Sequence, residues 1–124
     1  MTDMLDAATD LEPVEDFRQR ARLWLKENVA RSSSEWFMAY GTGTEEEELR
    51  DVQRNRDLQR LFYDGGFAGI ALPKEYGGQG LTLDHHVAFG EELTGYEYPS
   101  RFQVPTMQPC AAILTEFGTE EQKR

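Results

Sequence analysis

Four places in the sequence carry residue types capable of chemistry. His85-His86 could ligate a metal, Glu91-Glu92 could act as general acid and base, Cys110 could be a nucleophile, and Gly77-Gly78-Gln79-Gly80 could cradle a phosphate. The spacing argues against each. Neighbouring helical residues point about 100 degrees apart, so adjacent histidines cannot share one ion, and no cysteine or carboxylate stands at ligand spacing beside either. Adjacent glutamates diverge in the same way, whereas an acid–base pair must converge on one pocket. A solvated face or a salt bridge is their expected use. Cys110 falls on an apolar helical stripe with Met107, Ala111, Leu114 and Phe117, which predicts a small buried hydrophobe and not a reactive thiol. The glycine loop matches neither Gly-x-Gly-x-x-Gly after a strand nor a phosphate loop ending in Gly-Lys-Ser/Thr. It reads as a structural turn.

The elements around these residues are helical. In Leu72-Pro73-Lys74-Glu75-Tyr76-Gly77-Gly78-Gln79-Gly80-Leu81, a proline followed by clustered glycines cannot continue a helix or a strand. Helical patterns flank it on both sides. Pro13 suits a first helical turn, and Val14, Phe17, Ala21, Trp24 and Leu25 recur on one face of a helix ending near Val29. Thr44 with Glu47 is a capping box, and Glu45 to Glu48 place negative charge at the positive end of the helix dipole. This second helix continues through Leu49, Val52, Leu58, Leu61 and Phe62 to a stop at Gly65-Gly66. Its polar middle, Arg54-Asn55-Arg56-Asp57, leaves room for a break. Thr82 caps a third helix, with Asp84 in its first turn and His86, Phe89, Leu93 and Tyr96 as the inward stripe. Leu83 and Val87 lie beside that stripe, and Gly90 would let a neighbouring helix approach. A fourth helix is expected from about Thr106 to Gly118, and Thr119 with Gln122 announces another. The linker Arg31 to Gly43 carries Trp36, Phe37, Met38 and Tyr40, which should pack back onto the core. With no strand pair, the fold class is all-α, a helical bundle. Residues 1–12 read as a flexible leader and residues 13–124 as one helical domain whose last helix is expected to be truncated.

The formal net charge of -10, from 23 acidic and 13 basic residues, argues against nucleic acid and anionic membranes as partners. One cysteine builds no disulfide framework and fits a reducing compartment. The acidic N-terminus has no apolar run of a signal peptide, and no segment has the apolar length of a membrane span. The expectation is a cytoplasmic protein.

Leu58-Gln59-Arg60-Leu61 before Gly65-Gly66-Phe67-Ala68-Gly69-Ile70, the loop from Leu72 to Leu81, Gly90-Glu91-Glu92-Leu93, and Phe117-Gly118-Thr119-Glu120-Glu121-Gln122-Lys123-Arg124 stand in an ordered series. In that order and spacing, from about Asp16 to Arg124, the chain resembles the N-terminal helical domain of acyl-CoA dehydrogenases. The resemblance implies an enzyme of three domains: this one, a small β domain and a C-terminal helical bundle. It implies FAD as cofactor, an acyl-CoA substrate losing hydrogens from Cα and Cβ, an electron-transferring flavoprotein as electron acceptor, and a homo- or hetero-oligomeric assembly. In the common subfamilies the glutamate base and most flavin contacts lie beyond the stretch that matches. No acid here therefore receives the catalytic role, and no cofactor-binding residue is assigned. The linker from Trp36 to Tyr40 is absent from the common pattern and leaves the subfamily open, with fatty-acyl or steroid-derived thioesters as substrates. By the same resemblance Arg101, Phe102 and Pro105 fall at positions lining the acyl-chain pocket. The other reading packs Phe102 into the core and leaves Arg101 as a surface charge. Alone, the chain is expected to bind FAD weakly or not at all, to lack dehydrogenase activity, and to self-associate or dissolve poorly through faces that would meet the other domains. A non-catalytic interaction module, a partner subunit, or an inactive truncated product are the competing readings.

Overall fold

Pro13 opens the first helix, α1 (Val14–Asn28), accepting from the Phe17 amide at 3.0 Å. Acids Glu15 and Asp16 in its first turn and Lys26 in its last complement the helix dipole. Phe17, Ala21 and Leu25 make its buried edge. The structure, a computed structural model, describes residues 10–32 and 43–124. The expected leader lies mostly outside the described residues, and so do the linker aromatics Trp36, Phe37, Met38 and Tyr40.

The Thr44–Glu47 capping box is formed: the Thr44 amide donates to Glu47 at 2.7 Å and the Glu47 amide to Thr44 Oγ1 at 3.3 Å. The second helix, α2 (Glu45–Asp64), is continuous through its polar middle. Asn55 stands in that middle. It faces inward, buried, and its amide group is satisfied at both ends: Nδ2 donates to the Asp51 carbonyl and Oδ1 accepts from the Arg101 amide. The helix ends as predicted at Gly65-Gly66. The Phe67 amide reaches back to Phe62 O and the Gly66 amide to Tyr63 O, a double bond pattern in which the left-handed residue is Gly66, at φ 82°.

The glycine loop is tied across itself. Gly69 O accepts from both Leu72 and Gln79, Leu81 donates to Ile70 O, and Gly80 donates to Leu72 O at 2.8 Å. A short 3-10 turn, Lys74–Tyr76, sits inside it. These bonds bring the chain back on line to start α3 (Leu83–Leu93).

At the start of α3, Thr82 makes a capping box whose third residue is a histidine. Glutamate or glutamine usually fills that place. The Thr82 amide donates to His85 Nδ1 at 3.2 Å, and His85 Nε2 donates to the Glu12 carbonyl at 2.6 Å. The expected stripe holds at Phe89, Leu93 and Tyr96 and fails at its first position: His85 is buried with Ala88 and Phe89, while His86 is exposed. Leu83 and Val87 are exposed as well, at 69% and 50%, and among the described residues nothing stands within 4 Å of where a Gly90 side chain would be. The capping bond fixes the rotation of the helix. It pulls position 85 inward to meet the end of the segment before α1.

α1 and α3 run side by side in the same direction. Glu12 meets His85 at one end; Arg22 meets Glu92 farther along. Past the helices a single antiparallel bridge joins Arg31 to Tyr96. Phe62 from α2 and Phe67 from the following turn complete the core, with Phe67 stacked on Phe89 at 5.1 Å and Trp24 against Phe67 at 4.9 Å. Among the described residues the fold is helical, with no named strand.

The last part differs from expectation. Helical structure begins at Ser100, not Thr106: a short turn α4 (Ser100–Phe102), a π-helical turn over Gln103–Met107, then α5 (Gln108–Phe117). Pro105 cannot donate and its ring crowds the preceding turn. The helix widens there instead of ending, and Gln108 bonds back to Gln103 O. α5 packs little: Ile113 and Phe117 are 61% and 81% exposed. Cys110 is therefore exposed, contrary to the buried position predicted for it. The apolar stripe is real, but among the described residues nothing covers it. Thr119 and Gln122 form the predicted second capping box, opening α6 (Glu120–Lys123).

Candidate functional site

The segment holding Arg101, Phe102 and Pro105 leans on α2. Arg101 is drawn onto that helix by two carboxylates: its guanidinium pairs with Glu48, and its Nε stands 3.2 Å from Asp51. Its side chain is only 14% exposed, so it is not a surface charge. Gln103 donates to Gln59, also on α2. Phe102, half-buried, forms one wall of an open groove of about 600 Å³ whose other walls include Gln53, Arg56, Arg60 and Tyr63. Pro105 is exposed, within the π-helical turn. The structure thus places Arg101 and Phe102 together against α2 and leaves Pro105 on the outer side of the same segment.

Glu91 and Glu92 do not converge on a pocket. They cross to α1, where Arg18 meets Glu91 at 2.7 Å and Arg22 grips Glu92 with two bonds at 2.7 and 2.9 Å. The Arg22 bonds hold the Glu92 carboxyl below its usual range, against the opposing effect of burial. The pair fastens α1 to α3 and is fully used in doing so. Among the described residues no group of three or more His, Cys, Asp or Glu side chains could hold a metal.

α6 returns to the glycine loop. The Tyr76 hydroxyl donates to Glu120, and Lys123 Nζ sits 5.7 Å from the Tyr76 ring centre. That hydrogen bond, helped by desolvation and by the Glu120 charge, pushes the Tyr76 phenol up to about 12 from its ordinary 10. A phenol raised in this way lends its tie fully below pH 10 and loses it as the pH climbs through 12. Following phenolate absorbance, Tyr76 should still be protonated where ordinary tyrosines ionise. Glu120→Gln should bring its ionisation back toward 10. An unchanged titration in that variant would break the assignment.

The family model for the acyl-CoA dehydrogenase N-terminal domain matches residues 12–124. The chain belongs to the acyl-CoA dehydrogenase family. Among curated proteins it is 30% identical over 114 residues to acyl-CoA dehydrogenase IpdE1 of Mycobacterium tuberculosis, covering 92% of this chain and 29% of that protein. It is 29% identical over 111 residues to IpdE1 of Mycolicibacterium smegmatis, covering 90% of this chain and 28% of the relative. A 3-sulfinopropanoyl-CoA desulfinase of Cupriavidus necator shares 35% identity over 69 residues, 55% of this chain and 17% of that protein. The chain thus spans less than a third of the length of these relatives. No solved structure matches it significantly.

Acyl-CoA dehydrogenases generally use a flavin, and among the described residues no site for one is shown. The groove beside Phe102 is open and carries balanced charge, Arg56 and Arg60 against Asp57 and Asp64. No helix is long and apolar enough to cross a membrane among the described residues.

Two features escaped sequence reading. His85 as a capping partner had a signal, the Thr82-x-x-polar spacing, but histidine is uncommon there. Asn55 had none: it stands in a polar run, and the amide that its oxygen meets belongs to Arg101, 46 residues away.

Proposed function

We propose that residues 13–124 form the N-terminal helical domain of a flavin-dependent acyl-CoA dehydrogenase that desaturates a fatty-acyl or steroid-derived thioester between Cα and Cβ. In that enzyme FAD accepts the electrons, an electron-transferring flavoprotein takes them onward, and the work is cytoplasmic. This domain contributes a wall of the acyl pocket and a surface for packing against the rest of an oligomeric enzyme. The observation that carries the reading is the family match along residues 12–124. Two features support the finer part. Phe102 presents a half-buried ring at a groove, and Arg101 is anchored to α2, so the wall is held from behind. The uncovered stripe of α5, with Ile113 and Phe117 exposed, suits a packing surface.

The test is Phe102→Ala in a complete dehydrogenase carrying this domain. Losing one packed wall should shift the preference among short, long and bulky acyl-CoA substrates by about 1–3 kcal/mol in kcat/KM, roughly 10–200-fold. A folded enzyme whose preference does not move would show that Phe102 lines no acyl pocket.

A further inference from the structure

We infer that Asn55 is a positioning residue: it caps α4 from the neighbouring helix and thereby sets where Phe102 stands. The start of α4 poses a problem that local sequence cannot solve. The first amides of any helix lack an acceptor within it, and the residue at the capping position is Pro99, which makes no side-chain cap. The Phe102 and Gln103 amides both turn back to Pro99 O, at 3.2 and 3.1 Å. The Arg101 amide points instead at α2, where Asn55 Oδ1 receives it at 3.4 Å. Asn55 is 7% exposed. Its Nδ2 is held by the Asp51 carbonyl at 2.9 Å, which fixes the amide group so that the oxygen can face only Arg101. The Asp51 carboxylate takes the Arg101 guanidinium at 3.2 Å. Backbone and side chain of one residue are thus gripped from a single turn of α2.

The grip acts just past an apolar anchor. Pro99 is fully buried and Tyr98 packs on the core, but none of residues 100–107 is buried, so polar links to α2 set the course of the segment beyond that anchor. Asparagine is a poor helix-interior residue, because its side chain competes for backbone bonds. At position 55 that competition is turned to use, since the oxygen caps another helix.

The effect on substrate choice rests on the pocket reading above; the cap itself does not. Amide hydrogen exchange on the full chain tests the cap. In Asn55→Ala the protection of the Arg101 amide and its neighbours to residue 107 should fall by about tenfold, while amides of α1 and α3 keep theirs. Asn55→Asp, which retains an acceptor oxygen but loses the Nδ2 donor to the Asp51 carbonyl, should restore only part of the Arg101 protection. Unchanged protection at Arg101, or an equal loss across α1 and α3, would overturn the inference. Should the alanine variant not fold, Asn55→Leu keeps the side-chain shape without the oxygen and gives the same readout. In a complete dehydrogenase, Asn55→Ala should move acyl preference in the direction of Phe102→Ala. Lost protection with unmoved preference in both variants leaves the cap standing and sinks the pocket reading.

Discussion

Phe17→Ala is expected to destabilise the chain by about 3–5 kcal/mol, a large share of the roughly 5–15 kcal/mol that holds a domain together. Phe17 has no exposed surface. Its ring is packed by Phe67 at 5.7 Å, by Phe89 at 6.5 Å and edge-on by His85 at 5.3 Å, and the Arg20 guanidinium lies 5.2 Å from its centre. The void would open where α1, α3 and the turn after α2 meet. All three come from separate parts of the chain, so none can collapse into it without giving up another contact. Urea unfolding measures the loss. The nearby Leu23→Ala provides the contrast: it sits on the same helix at 57% exposure and should cost well under half as much. Equal costs would mean that the packing around Phe17 is loose.

Gly78→Ala should cost at least about 3 kcal/mol, overpacking combined with a broken hydrogen bond. An added Cβ would stand 2.2 Å from Leu72 O, and that oxygen is the acceptor that closes the loop on the Gly80 amide. Leu72 cannot retreat without opening the loop. Gly77 next to it is a glycine for another reason. Its φ is 92°, and a Cβ there would touch nothing within 4 Å. Gly77→Ala should therefore cost only the backbone strain, roughly 1–2 kcal/mol. Thermal or urea unfolding of the two variants ranks them, and the opposite order would refute the account of the loop.

What could be read ahead of the structure was whatever depends on near neighbours. The Thr44–Glu47 and Thr119–Gln122 boxes, the stop at Gly65-Gly66 and the inward edge Phe17, Ala21 and Leu25 are each decided within a few residues, and each is found as expected. The misreadings concern choices made at a distance. Which of His85 and His86 turns inward depends on the Glu12 carbonyl, 73 residues away. The partner of the buried Asn55 oxygen is the Arg101 amide, 46 residues away. The helical turn that begins at Ser100 went unpredicted, because the widening that lets a helix pass Pro105 leaves no mark in periodicity. Cys110 sits on a true apolar stripe, but a stripe predicts that a face wants cover and not that cover is present. For the candidate site, resemblance alone proposed Arg101, Phe102 and Pro105, and nothing in the sequence announced the contacts of Arg101 with α2.

The pairing of α1 with α3 has a kinetic consequence. Arg18 and Glu91, which clasp the two helices, are 73 positions apart, and α2 and the glycine loop lie between them. Helical proteins usually fold fast because their contacts are local. Here the central contact must wait for a long loop to close, and the closing entropy is spent before the packing returns it. On the ribosome, α1 emerges early with Phe17, Ala21 and Leu25 bare, and stays so until residues beyond Leu93 have left the tunnel. At about 5–20 residues per second that interval is several seconds, long enough for a chaperone that grasps short apolar helices to find this one first.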